Sequence, residues 1–306
     1  MVARVSRRRR TIRTGDVLFH TVNNVLLVFA LLIVLYPLLY IISSSMSTAS
    51  AIMAGKIWLW PVSVDLTSYR IVLTYPGIWR SYLNTTIYAV GGTSLNLVLT
   101  IMIAYPLSRK DFKARGPVMG LLVFTMIFNG GIIPTYILIG KLGLLNTMWA
   151  MIIPTSFSAW NVIITRTFYV HNIPEELIFA SKIDGCSDFR FVLKILLPLS
   201  GAITAVNILF YAVGHWNVYF TGLLYLNKQQ LYSLQLFLRK ILVLNQISEE
   251  QVRTAAAASQ GLQVAEQLKH TLKYALIIVA TLPVMCIYPF VQKHFVKGVR
   301  VGALKG

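Results

Sequence analysis

Six runs of this sequence, at residues 19–42, 81–105, 117–139, 146–165, 195–220 and 274–291, hold no Lys, Arg, Asp or Glu. At ~1.5 Å per helical residue, each is long enough to cross a hydrocarbon layer of ~30 Å. The chain is 56% apolar and only 12% charged, against ~25% charged for a globular protein. It therefore has too few polar side chains to cover a water-facing surface. Lipid offers the backbone no hydrogen bonds, so each run must satisfy its own N–H and C=O groups as a helix. Internal prolines (Pro37, Pro134, Pro154, Pro198, Pro283) are tolerated in membrane bundles, where neighbours re-satisfy the freed groups. The expected fold is an all-α integral membrane protein of six transmembrane helices.

The basic residues orient it. With the amino terminus inside, 18 of the 28 Lys and Arg residues fall on short inner segments, as the positive-inside rule requires. Residues 1–18 then form a basic cytoplasmic tail, 19–292 a membrane domain, and 293–306 a cytoplasmic carboxyl tail. A plasma (inner) membrane location with both termini cytoplasmic follows. The "RRRR" at 7–10 suits anionic headgroups of membrane lipid, and the run behind it is longer than the ~7–15 residues of a signal-peptide core. The net charge of +18 does not indicate nucleic acid, because the cations are scattered between apolar runs without a recognition pattern. Two distant cysteines and five histidines without paired spacing make no metal set.

One passage breaks the apolar pattern. "IPEELIFASKIDGCSDF", 173–189, carries Glu175, Glu176, Asp184 and Asp188. Pro174 suits a helix start, Asn172 is a candidate cap, and the two glutamates lie at the positive end of the helix dipole. Leu177, Ala180 and Asp184 share one face; Glu176, Phe179 and Ile183 share another. Gly185 supplies the positive φ of a helix stop, with Ser187 or Asp188 capping a second helix that runs on into the fifth span. The product is a small hairpin outside the membrane, rigidly joined to a spanning helix.

"IPEELIFASKIDGCSDFRFVLKILLPLS" resembles the EAA loop of ABC-importer permeases of the carbohydrate-uptake type. Pro174, Glu176, Leu177, Ala180, Ile183, Asp184, Gly185, Leu197 and Pro198 match that pattern. Ser181 replaces its second alanine, and Phe179 stands where its signature glutamate would be. Residues 82–109 resemble the family's core entry. "YPFVQKHFVKGVRVGALKG", 288–306, is similar to the tail of a subgroup handling uronate-containing oligosaccharides such as aldouronates and alginate fragments. The resemblance implies a cytoplasmic coupling helix between helices 4 and 5, within a loop spanning 170–194. Glu175, Glu176, Phe179, Ala180, Ser181, Asp184 and Gly185 would then face an ATPase. It implies as partners a second homologous permease, two ATP-binding subunits, an extracytoplasmic solute-binding protein and a carbohydrate substrate. No cofactor is bound by this chain; ATP and Mg²⁺ belong to the partner ATPase.

Absences agree with a divided machine. The chain has no Gly-x-x-x-x-Gly-Lys-Ser/Thr phosphate loop, and its spans hold no convergent acid, base and nucleophile, so an enzyme is not expected. A sodium-coupled sugar carrier, using backbone oxygens, stays open at this point. For the substrate path, Asn207, Tyr211 and His215 recur every four residues on one face of the fifth span, followed by Trp216 and Asn217. Such a stripe suits sugar, or else joins helices to each other. Asn129, Trp160 and Asn161 are lesser candidates. The outer segments, including 221–273, carry ten basic residues against four acidic ones, which favours an anionic substrate or an acidic docking face.

Overall fold

The computed structural model describes residues 14–244, 271–286 and Pro289. The tails and the whole 245–270 stretch of the outer segment lie outside the described residues. Among the described residues the secondary structure is helical, with one isolated bridge between Ser47 and Val64. The chain divides into two compact units, one of residues 1–70 with 253–278, the other of 71–252 with 279–306.

The first unit is dominated by α1 (Thr14–Ser45), which continues through Pro37. Its apolar side chains are exposed from Val17 to Leu38, as expected of a helix whose solvent is lipid. Its end is polar and packed: Ser43, Ser44, Ser45 and Ser47 are all buried. The Ser45 hydroxyl bonds the Tyr69 hydroxyl at 2.7 Å, and Ser47 Oγ accepts the Val62 N–H at 3.0 Å. These bonds fix the irregular connection that follows the helix.

In the second unit α2 (Pro76–Ser108) is the central rod. Around it lie α3 (Arg115–Ile127), α4 (Ile132–Lys141), α5 (Ala159–Asn172), α6 (Glu175–Ile183), α7 (Asp188–Leu199), α8 (Gly201–Trp216) and α9 (Leu234–Leu244). The helix α10 (Thr271–Cys286) begins in the first unit and ends in the second. One apolar core, including Ala104, Leu107, Val162, Tyr169, Phe191, Leu196 and Ile203, fills one end of the unit. A smaller one of Tyr88, Met151, Ile152 and Leu226 fills another part. Because α2 contributes to both, it fixes their separation.

Several of the six apolar runs are broken in the structure. Among the described residues, two helices are continuous and long enough to cross a membrane, Val17–Ser45 and Gly77–Ser108. The third run is the α3–α4 pair, bent by 112°. Its break is chemical: the Asn129 side chain accepts the Gly131 N–H at 2.9 Å, and Gly131 takes φ +88°. The fourth run splits into Trp149–Ile152, a 3₁₀ turn at Ile153–Thr155 holding Pro154, and α5, capped by Ser158. The fifth run is bent by 87° between α7 and α8. There the buried Ser200 hydroxyl donates back to the Leu196 carbonyl at 2.7 Å, a bond that bends helices. Beyond the bend the run continues as α8 from Gly201.

The packing of α8 on α2 depends on Gly92. A Cβ placed there would run into the His215 imidazole, whereas one at Gly91 would meet only Ile152 Cδ1 at 3.4 Å. The Gly92→Ala protein should lose about 1–3 kcal/mol through overpacking, while Gly91→Ala stays near the wild type. Thermal unfolding of the two purified variants in one detergent checks this, and equal midpoints would contradict it.

Candidate functional site

The charged passage after α5 folds as the hairpin α6–α7. Pro174 precedes the first helical residue with extended backbone (φ −61°, ψ 139°). Glu175 and Glu176 occupy the first turn and Lys182 the last, each sign placed favourably for the helix dipole. Asn172 is not the cap expected of it. It closes α5 instead, its amide donating to the Phe168 carbonyl at 3.0 Å.

The helix stops at Gly185, with φ +69°. Its N–H reaches the Lys182 carbonyl at 3.1 Å, and the Cys186 N–H reaches the Ser181 carbonyl at 2.9 Å. This pair of bonds is the Schellman arrangement, which requires a left-handed residue at the turn. No atom would obstruct a side chain at Gly185, so only the backbone conformation demands glycine. Ser187 then caps α7, its Oγ accepting the Arg190 N–H at 3.4 Å. The α7 segment winds as a π-helix over Val192–Leu196. The link to α8 is thus underwound and bent, where a rigid continuation into the fifth span was expected.

Two faces of the hairpin differ. Ser181 is buried, and Ile178 and Cys186 pack on the main core. Glu176, Phe179, Ala180 and Ile183 are exposed together, with Ile183 86% and Phe179 59% accessible, and Phe189 of α7 76%. Glu175, Asp184 and Gly185 are also exposed. Lipid is a poor solvent for this face, because the same short hairpin carries four carboxylates and three cations. It presents apolar side chains on a strongly charged element.

The other neighbour of the hairpin is the segment that follows α2, which sequence reasoning missed. Lys110 Nζ lies 2.9 Å from Glu175 Oε1. Asp111 accepts from Arg109 at 3.0 Å and from Lys182 at 3.3 Å. The Tyr105 hydroxyl donates to Asp188 at 2.8 Å. Hydrogen bonding from Arg109 holds the Asp111 carboxyl down at about 2. A depressed carboxylate contributes stability above its unfolded value and loses it as pH falls from about 4 towards 2, so Asp111 is ionised at neutral pH. Between this segment and the hairpin lies a cavity of about 690 Å³, lined by Tyr105, Arg109, Tyr169, Glu176, Phe179 and other side chains.

The fifth-run stripe occupies a different place. Asn207, Tyr211, His215 and Trp216 are buried, while Asn217 is exposed. Asn207 donates to Thr165 Oγ1 of α5 at 2.7 Å, Tyr211 bonds Thr100 of α2 at 2.6 Å, and His215 Nε2 lies 3.2 Å from Asn96 Oδ1. The Trp216 indole donates to the Ala280 carbonyl at 3.0 Å and meets Tyr82 edge-on. Asn217 folds back on the Val213 carbonyl. In this conformation the four buried side chains join helices. Asn161 is buried at the start of α5, whereas Trp160 and Asn129 are exposed.

No family model matches the chain. It is 42% identical over 281 residues to a polygalacturonan/rhamnogalacturonan transport system permease protein, YtcP, of Bacillus subtilis, covering 92% of this chain and 96% of that one. It is 38% identical over 274 residues to protein LplC of the same organism, covering 90% of each. A solved bacterial ABC transporter involved in the import of the acidic polysaccharide alginate contains a chain that superposes with a TM-score of 0.84 at 32% identity. That match covers 92% of this chain and 98% of the solved one. These likenesses cover at least 90% of this chain, and they favour an ABC permease over the sodium-coupled carrier. The chain belongs to the permease subunits of carbohydrate-importing ABC transporters.

Proposed function

We propose that this permease imports acidic oligosaccharides, and that α6 is the helix through which a separate ATPase drives it. The observation that carries the coupling role is the exposed face of Glu176, Phe179, Ala180 and Ile183 on a charged hairpin. Such a face, apolar at its centre and rimmed by charge, suits burial in a cleft of a soluble partner. Phe179 replaces a glutamate of the resembled motif, so the contact gains apolar area and loses a charge. An aromatic anchor can carry a large share of interface energy.

The complete importer pairs this chain with a second permease, two ATP-binding subunits and an extracytoplasmic binding protein. ATP and Mg²⁺ are held by the ATPase, and this chain supplies the path. It lies in the bacterial cytoplasmic membrane with both termini and the hairpin inside. Closure of the ATPase pair shifts the hairpin, and the helix bundle exchanges inward- for outward-facing arrangements. Uronate-containing oligosaccharides are supported as the substrate class by relatives named for polygalacturonan and alginate transport. The excess of cations in the outer segments is of the matching sign.

Two measurements test the coupling role. A photo-crosslinking residue at Phe179 or Ala180, in cells expressing the whole system, should capture the ATPase subunit. Capture of lipid alone would remove the role. Separately, Gly185→Val should strain the turn by about 1–2 kcal/mol and lower uptake per ATP hydrolysed, while Gly185→Asn, which tolerates a left-handed backbone, stays near wild type. Maleimide labelling of Cys186, followed by peptide mass analysis, reports the same loosening independently of transport. Identical labelling and uptake in both variants would show that the turn conformation does not matter.

A further inference from the structure

The hairpin is held at three points by the end of a helix that is neither its predecessor nor its successor in the chain. Lys110 pairs with Glu175 in the first turn of α6, and Asp111 with Lys182 in its last turn. Those two anchors are seven residues apart, or about two helical turns. Tyr105, inside α2, donates to Asp188 at the start of α7. Arg109 is the foundation. Its side chain is only 10% exposed, it grips Asp111 through both Nε and Nη2, and its guanidinium lies 5.9 Å from the Tyr105 ring centre. Each exposed pair alone is weak. Together they grip both ends of one nine-residue helix, and they stand on packed apolar side chains, with Leu107 and Phe191 each 1% exposed.

The covalent route from the hairpin into the bundle is less direct. It passes through the π-wound stretch Val192–Leu196 and an 87° bend at Ser200 before reaching α8. An axial push on the hairpin must turn nearly a right angle there. It meets α2 at that helix's own end.

We propose that Arg109, Lys110 and Asp111 form a strap that fastens the coupling hairpin to α2, so that α2 moves with the hairpin during transport. This rests on the ATPase-driven role proposed above. The strap residues are positioning residues: they touch neither substrate nor nucleotide. Through α2 the displacement reaches Asn96 and Thr100, the partners of His215 and Tyr211 on α8. Motor movement thus arrives at the middle of the bundle without crossing the bent joint.

The test uses the complete importer in proteoliposomes, with ATP hydrolysis and uptake of a pectate-lyase digest of polygalacturonate measured on the same sample. Asp111→Asn and Lys182→Gln should each lower uptake per ATP hydrolysed by about three-fold or more, and the double variant should be no worse than the poorer single one, as expected of groups acting as one unit. In a chain with Cys186→Ala and Cys286→Ala, Lys110→Cys and Glu175→Cys joined by a short bifunctional maleimide should retain most of the uptake, because the two sites travel together. Unchanged coupling ratios in the single variants overturn the strap. So does loss of uptake on cross-linking, which would mean that the loop and hairpin must separate. A wild-type complex without ATP-driven uptake overturns the proposed function itself, and the strap with it.

Discussion

Hydrocarbon supplies no hydrophobic force between one apolar helix and another, so contact between α2 and α8 has to be made by close approach and by polar bonds. Both devices occur at one level. The backbone of Gly92 admits the His215 ring, and His215 meets Asn96 while Tyr211 meets Thr100 one turn further along. Asn207 extends the series to Thr165 on α5. Three polar rungs spaced four residues apart on α8 fix its rotation and its register against two neighbours. A shift by one residue would break every rung, and a polar group left unpaired away from water costs several kcal/mol. These pairings therefore select discrete arrangements over continuous sliding.

Discreteness is what a transporter needs. Asn207 Oδ1 is buried with no hydrogen-bond partner in this arrangement, so the set is incompletely satisfied. A second arrangement that gave this oxygen a donor would recover the ~1–3 kcal/mol that leaving it bare costs here. Two packings separated by a small energy are the condition for switching by a partner subunit. The rungs hold the helices firmly within each arrangement and leave the choice between arrangements open to an outside push.

Much of this was legible before any coordinates. Charge-free runs gave the helical class, and the Glu–Gly–Ser sequence of 175–187 gave the hairpin with its left-handed turn at Gly185, because both depend on local chemistry. Four-residue spacing gave the shared face of Asn207, Tyr211 and His215, but not what that face meets. Periodicity is identical whether a polar stripe lines a water-filled path or bonds another helix. The breaks at 128–131 and Ser200 escaped because hydropathy over a long window averages through one polar residue. The Asn129–Gly130–Gly131 triplet was the available signal for the first. The clustering of Lys110 and Asp111 with Glu175 and Lys182 joins positions 71 residues apart in the case of Asp111 and Lys182, and no local pattern encodes such a meeting.

The Phe179 substitution bears on how such a hairpin can lose a signature charge and still serve. A glutamate in that face would add a point contact whose strength depends on salt and on an exact counter-charge. A phenyl ring flanked by Ala180 and Ile183 instead contributes area, at about 25 cal/mol for each Å² removed from water. Area is forgiving of small displacements, whereas a bidentate ion pair is not. An apolar contact could thus stay engaged while the hairpin tilts, with directional control left to charged groups elsewhere. In this chain those groups are on hand on the same helix, where Glu175 and Lys182 are held by the segment that follows α2.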